Sequence, residues 1–383
     1  MLLQKTSYIL SKKSLRVSSL LLPLFANVFT EIETFVCVNL KYKGPKYKSE
    51  TTMSIQQRYR LNLQFGEHAK VDDNAVSRFS DWLKAKGVTT AQPQQWRDPD
   101  LFPEDSCGLQ AISQFFALGN SINFRYWAYD SSGSISYCEG KKGGKPYRGA
   151  FYMWRSLKTA YDRDPSFLDA DKLASITLQE VRELFKDDNG REVMPALDER
   201  TTNWNDLGAK LRDYWSGQFL NLVRDTNKSL FLFVQFSRQF RAFDDPLCKM
   251  IMVNAIMHQG RGLVSFDERP VPGIDYELLK QLMRNGIVQL DKSLEAKVSK
   301  GELLFPKEAK ELRMAGLYAF IRMIENTGLS GDILDNKYWL NRTACRTDAP
   351  VCKTPGMEDK CIFYGVCPEK VELKIPYELT RYY

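Results

Sequence analysis

The segment Arg269-Pro-Val-Pro-Gly-Ile-Asp-Tyr-Glu-Leu-Leu-Lys280 carries the reading of this chain. Asp275 stands directly before an apolar stripe at helical spacing, Leu278, Leu279 and Leu282, and Gly286 follows as a stop. An aspartate in that position is an N-cap, because its carboxylate accepts the backbone N–H groups that the first helical turn leaves free. Asp275 alone is therefore no more than a helix start.

The same pattern of short capped helices continues outward in both directions. Asp245-Pro246 reads as the N-cap and first residue of a helix carrying Leu247, Met250 and Ile251 and stopped near Gly260. Val76, Phe79, Trp82 and Leu83 precede Gly87, and Leu109, Ile112, Phe115 and Phe116 precede Gly119. Thr177-Leu-Gln-Glu180 is a capping box. Trp204, Leu207, Leu211 and Trp215 share one face, residues 219–240 supply one or two further helices, and a long helix runs from Pro306 to about Asn326. Residues 131–149, rich in Gly, Ser and Tyr, read as a loop or small hairpin. With few alternating strands anywhere, the class is mainly α.

Bulk properties narrow the function. The 383 residues are 43% hydrophobic and 26% charged, enough for a real core, and no uncharged apolar run reaches the roughly 20 residues of a membrane span. The net charge of +7 is concentrated at the start: residues 1–52 carry +5 and the rest only +2. A body so close to neutral lacks the basic excess of a nucleic-acid binder, so a small-molecule substrate is expected. The chain has only two histidines, His68 and His258, and neither stands in a nucleophile motif, which directs attention to carboxylate chemistry. Residues 1–30 are rich in Ser and Leu and carry four basic residues and no acid. They fit an organelle-targeting peptide, a signal-peptide core at Ser19–Phe29, or an over-extended or disordered start before Met53. The expected domain is 53–383. It is cytoplasmic, or mitochondrial or otherwise organellar if residues 1–52 are real.

The chemistry comes from combining Asp275 with Lys249. A helix bearing a lysine, a short connection and Val-Pro-Gly-Ile-Asp opening another helix resembles the layout of the helix-hairpin-helix glycosylase superfamily. A longer ordered set of segments resembles the queuosine 5′-phosphate N-glycosylase/hydrolase family of queuosine salvage proteins. The set comprises Asn123-Phe-Arg-Tyr-Trp127, Tyr147-Arg-Gly149, LQEVREL at 178–184, Met194-Pro-Ala-Leu-Asp-Glu-Arg200, Gly217-Gln-Phe-Leu-Asn-Leu-Val-Arg224, Lys249, Ile274-Asp-Tyr276, Lys300-Gly-Glu-Leu303 and Glu311-Leu-Arg313. The ending, Ile375-Pro-Tyr with Arg381-Tyr-Tyr383, matches as well. The resemblance implies two helical lobes related to DNA glycosylases, hydrolysis of a nucleoside 5′-monophosphate to base and ribose 5-phosphate without a required cofactor, and Asp275 as the catalytic group. It also implies Lys249, Phe124, Tyr126, Trp127, Tyr276, Asp335 and Tyr338 as substrate-binding residues. Arg125, Arg148 and Lys249 are candidate phosphate partners. The sequence departs from the family where the base is read: Gly273 replaces an aromatic residue two positions before the aspartate, and Leu340 and Asn341 follow Trp339 where an acid is expected.

A second feature lies outside that family pattern. Cys345-x6-Cys352-x8-Cys361-x5-Cys367 has the outer spacings of the iron–sulfur loop of endonuclease III-like glycosylases, with a middle interval six residues longer. Clustered thiolates suit a [4Fe–4S] cluster or zinc; reduced free thiols or two disulfides are the alternatives. Two other functions stay open. One is an endonuclease III-like DNA glycosylase with Lys249 as a Schiff-base nucleophile, although Phe243-Asp-Asp-Pro-Leu-Cys248 replaces the hairpin that would grip DNA phosphate. The other is a catalytically degenerate base-binding protein.

Overall fold

The computed structural model describes residues 66–89, 96–129 and 133–383; the readings made for residues 1–52 lie outside them. Thirteen helices and three small two-stranded antiparallel sheets make up the described chain, so the mainly α expectation holds.

The helices associate in two groups within one compact unit. The first contains α1 (Asp73–Ala85), α10 (Tyr276–Arg284), α11 (Lys292–Lys300), α12 (Pro306–Thr327) and α13 (Gly331–Asn341). There α12 packs on α1, α10 and α13, and on the ribbon of β1 (Ala69–Val71) paired with β6 (Val288–Leu290). The second contains α2 (Gly108–Asn120), α3 (Ala150–Arg163), α4 (Ala170–Ser175), α5 (Leu178–Phe185), α6 (Leu197–Trp215), α7 (Phe219–Asp225), α8 (Leu230–Ser237) and α9 (Lys249–Gly260). There α2 packs on α7 and α9, and α4 lies so close against α6 that a Cβ on Gly208 would sit 2.3 Å from the Ala174 amide nitrogen.

The expected hairpin is two hairpins, β2 (Trp127–Tyr129) with β3 (Ile135–Tyr137) and β4 (Glu139–Lys142) with β5 (Lys145–Arg148). Thr177 and Asp275 cap their helices as the sequence suggests, with the full capping box at Thr177 and Glu180, and Asp72 caps α1. The helix expected from Pro246 instead starts at Lys249, because Cys248 takes a left-handed backbone (φ 55°). Asp245 still serves that start: its Oδ1 accepts the Leu247 N–H and its Oδ2 accepts that of Lys249, at 3.1 and 2.7 Å. The sequence reading missed α3, α4, α11 and α13. Among the described residues no helix is long and apolar enough to cross a membrane.

Candidate active site

Helix α9 begins with Lys249 and α10 is capped by Asp275, and the two charged side chains line the same two cavities. Asp275 is 8% exposed and Lys249 3%. Asp275 Oδ1 accepts the N–H groups of Glu277 and Leu278, each at 2.9 Å, while Oδ2 takes no hydrogen bond from the described residues. One carboxylate oxygen is thus fixed by the helix and the other is left for chemistry. Burial pushes the Asp275 carboxyl above the usual carboxylate range, and the Lys249 ammonium opposes that rise.

Lys249 is an unusual first residue for a helix, since a cation there faces the positive end of the helix dipole. Burial brings its pKa down to about 8, with Asp275 the leading opposing influence. Its Nζ donates to the Asn123 carbonyl. The start of α9 is held by a buried ion pair: Arg313 on α12 donates to both oxygens of Asp245, at 3.0 and 2.7 Å, and lies 4.1 Å from the Tyr383 ring centroid. Arg313 and Tyr383 are therefore scaffold for Lys249, a role the sequence motif did not disclose. Arg200 does the same for the Asn123 segment. Fully buried, it donates to the carbonyls of Ile122, Phe124 and Arg125 and lies 4.3 Å from the Phe124 ring centroid.

Asp275, Lys249, Asn123, Phe151 and Trp339 form the shared wall of two cavities, of about 960 and 910 Å³ with their open mouths included. The first is polar. Phe124, Tyr126 and Tyr276 line its inner end, and Arg148, Lys280, Arg342 and Arg346 ring it. Arg148 and Arg346 pair with Asp348, and Lys280 with Glu277. Arg342 makes no ion pair among the described residues; it donates to the Trp339 carbonyl and stacks 3.3 Å from that ring's centroid. Arg125 lines neither cavity.

The second cavity is apolar, walled by Trp96, Phe102, Trp154, Val253 and Met257. Asp98 and Asp335 line it as well; burial pushes the Asp335 carboxyl up to about 7, and its Oδ2 accepts the Gly273 N–H at 2.8 Å. Gly273 has a steric reason: a Cβ there would lie 2.5 Å from Val253 Cγ2 and 3.0 Å from the Lys249 carbonyl oxygen. An aromatic residue at 273 has no room in this chain, and aromatic walls fall instead to Trp96, Phe151 and Trp339.

Two residues expected at the site are elsewhere. Trp127 packs in a core cluster with Tyr276, Ile375, Tyr377 and Tyr383. Tyr338 is fully buried between Phe320 and Phe363. Neither lines the cavities, because each faces the packed side of its element. Arg342, Phe151 and Trp96 were missed; a weak signal existed in Trp339 and Arg342 lying three residues apart on one helix flank. The Ser113–His258 hydrogen bond of 2.9 Å is no nucleophile pair, since both residues are fully buried, His258 Nδ1 is held by the Asn254 carbonyl, and burial lowers the imidazole to about 4.

The four cysteines of 345–367 are free and line one small cavity together. No three His, Cys, Asp or Glu side chains among the described residues converge as the shell of a single metal ion requires.

Fold and site together define a helical protein with a buried carboxylate–ammonium centre between a cationic and an aromatic chamber. The family model described as queuosine salvage protein matches residues 103–251. The chain is 25% identical over 282 residues to the queuosine 5′-phosphate N-glycosylase/hydrolase of Mus musculus (69% of this chain, 81% of the relative). It is 25% identical over 329 residues to that of Bos taurus (77% and 94%) and 27% identical over 176 residues to that of Sphaerobacter thermophilus (46% and 50%). The chain is thus similar to queuosine salvage proteins, over residues 103–251 by the family model and over most of its length by the mouse and bovine relatives.

Proposed function

We propose that the chain hydrolyses the N-glycosidic bond of queuosine 5′-monophosphate, releasing queuine for reuse in tRNA modification. The observation that carries this reading is the placement of Asp275 and Lys249 on the wall shared by the two chambers. A nucleotide divides chemically at its glycosidic bond into a polar anionic half and an aromatic half. The ribose 5-phosphate fits the arginine-ringed chamber, with Arg342 as the guanidinium free to engage phosphate. The base fits the aromatic chamber, and the C1′–N bond then lies at Asp275.

The Asp275 carboxylate stabilises the positive charge that develops on the ribose ring and accepts a proton from the attacking water. The C1′–N electron pair leaves with the base, the water oxygen bonds to C1′, and the proton passes to the departing base. Asp335, titrating near neutrality, supplies a hydrogen-bond donor at the base. Lys249 keeps Asp275 ionised inside a dry site. Phe124, Tyr126 and Tyr276 shape the sugar end. No cofactor enters this scheme, since water is the second reactant, and the enclosed chambers suit a small nucleotide better than a polymer.

The test is a substrate panel. Purified protein is incubated with queuosine 5′-monophosphate, with unphosphorylated queuosine and with lesion-bearing duplex DNA. Release of queuine from the monophosphate in preference to the nucleoside supports the reading. Base loss only from DNA would establish the glycosylase alternative, and no release from any substrate the binding-protein one.

A further inference from the structure

Cys345, Cys352, Cys361 and Cys367 surround a cavity of about 380 Å³, mouth included, against the far end of α10 and the end of α13. None is in a disulfide.

Three nitrogen donors point at these sulfurs, and the Cys367 thiol in turn donates to the Arg284 carbonyl at 3.5 Å. Arg284 Nη1 donates to Cys345 Sγ at 3.4 Å, Asn341 Nδ2 to Cys361 Sγ at 3.7 Å, and the Glu369 N–H to Cys367 Sγ at 3.3 Å. Arg284 is 1% exposed and has no carboxylate partner among the described residues; its other contacts are the carbonyls of Leu373, Arg346 and Val371. A buried guanidinium without a counter-charge is costly, and anionic sulfur on the cavity side would neutralise it. Asn285, 3% exposed and on the same wall, approaches the Tyr338 phenol, yet its Nδ2 completes no hydrogen bond.

We propose that these four cysteines bind a [4Fe–4S] cluster, one thiolate to each iron, with Arg284 as the buried counter-cation. A single zinc ion would need all four sulfurs about 2.3 Å from one point, and no such convergence exists among the described residues. Four sulfurs spread around a cavity fit a polynuclear centre. Ligation replaces four S–H bonds with four S–Fe bonds and releases four protons; no redox step is involved.

The role is structural. Between Cys345 and Cys367 the chain forms only two single-turn 3₁₀ segments, Val351–Lys353 and Glu358–Lys360, and is anchored near its end by Phe363, buried against Phe79 and Tyr338, and by the Trp82 indole donating to the Ile362 carbonyl. The loop follows directly on Arg342 and contains Arg346 and Thr347 of the polar chamber. It also abuts Arg284, the last residue of the helix that Asp275 caps. A cluster here would fix the cationic rim and the far end of that helix in one piece.

The experiment is elemental analysis of the full-length chain purified without oxygen, with the visible spectrum before and after dithionite. About four irons and four acid-labile sulfides per chain, with brown absorption that bleaches on reduction, are expected. Cys352→Ala and Cys361→Ala should each lose most of the iron. One zinc per chain with no iron, or no metal with paired cysteines found by non-reducing mass spectrometry, overturns the proposal. The wild-type metal content decides the matter even if the variants fold poorly, and it does not depend on what substrate the enzyme takes.

Discussion

Replacing Lys249 with methionine isolates the electrostatic core of the site, because methionine keeps most of the volume and removes the charge. In the wild type the ammonium, with a pKa of about 8, is largely protonated at neutral pH. It is the leading influence holding down the Asp275 carboxyl, which burial raises. An opposite charge within about 4–6 Å lowers a carboxyl pKa by about 1–3 units. The sign follows directly. Catalysis needs ionised Asp275, so activity rises with pH through its elevated pKa, and without the cation that limb moves further up. The wild type should also decline as pH passes about 8 and Lys249 deprotonates. Queuine release measured from pH 5 to 9 should show a roughly hundredfold loss of kcat/KM at pH 7 for Lys249→Met. The variant should recover partly toward pH 9, where the wild type falls. Activity within threefold of wild type with an unshifted profile would refute this account of Lys249.

Three other outcomes are expected. Arg313→Met leaves Asp245 as an uncompensated buried charge and should cost about 3–5 kcal/mol in denaturant unfolding, with the double variant Asp245→Asn/Arg313→Met recovering part of it. Arg342→Met should raise KM for the nucleotide roughly ten- to hundredfold while leaving the unphosphorylated nucleoside unaffected; an equal change for both would remove Arg342 from the phosphate. Gly273→Ala forces a Cβ against Val253 and the Lys249 carbonyl and should destabilise the chain by about 1–3 kcal/mol, read as a lower thermal midpoint.

The sequence disclosed α1 through its apolar stripe Val76, Phe79, Trp82 and Leu83, and α5, α10 and α12 through Thr177-x-x-Glu180, Asp275 and Pro306. It failed at α13, where almost every residue from Gly331 to Asp335 is buried and the stripe has no polar side to contrast with. It also misplaced the start of α9, because a left-handed Cys248 has no sequence signature. At the site, the two charged residues were visible because resemblance and spacing converge on them. The aromatic assignments were harder. Trp127 and Tyr338 share the residue types of a base pocket, yet which face of an element meets a cavity depends on what packs behind it. Phe151 and Trp96 reach the cavity from segments far from Asp275 in sequence, and no local pattern marks them.

Asp275→Asn tests the central claim most directly. Asparagine is as good an N-cap as aspartate, so the substitution should keep the hydrogen bonds to Glu277 and Leu278 and remove only the charge. Single-turnover release of queuine from queuosine 5′-monophosphate should fall by roughly 10³-fold or more, with nucleotide binding and thermal midpoint close to wild type. A variant that folds normally and retains activity within tenfold would contradict Asp275 as the catalytic carboxylate.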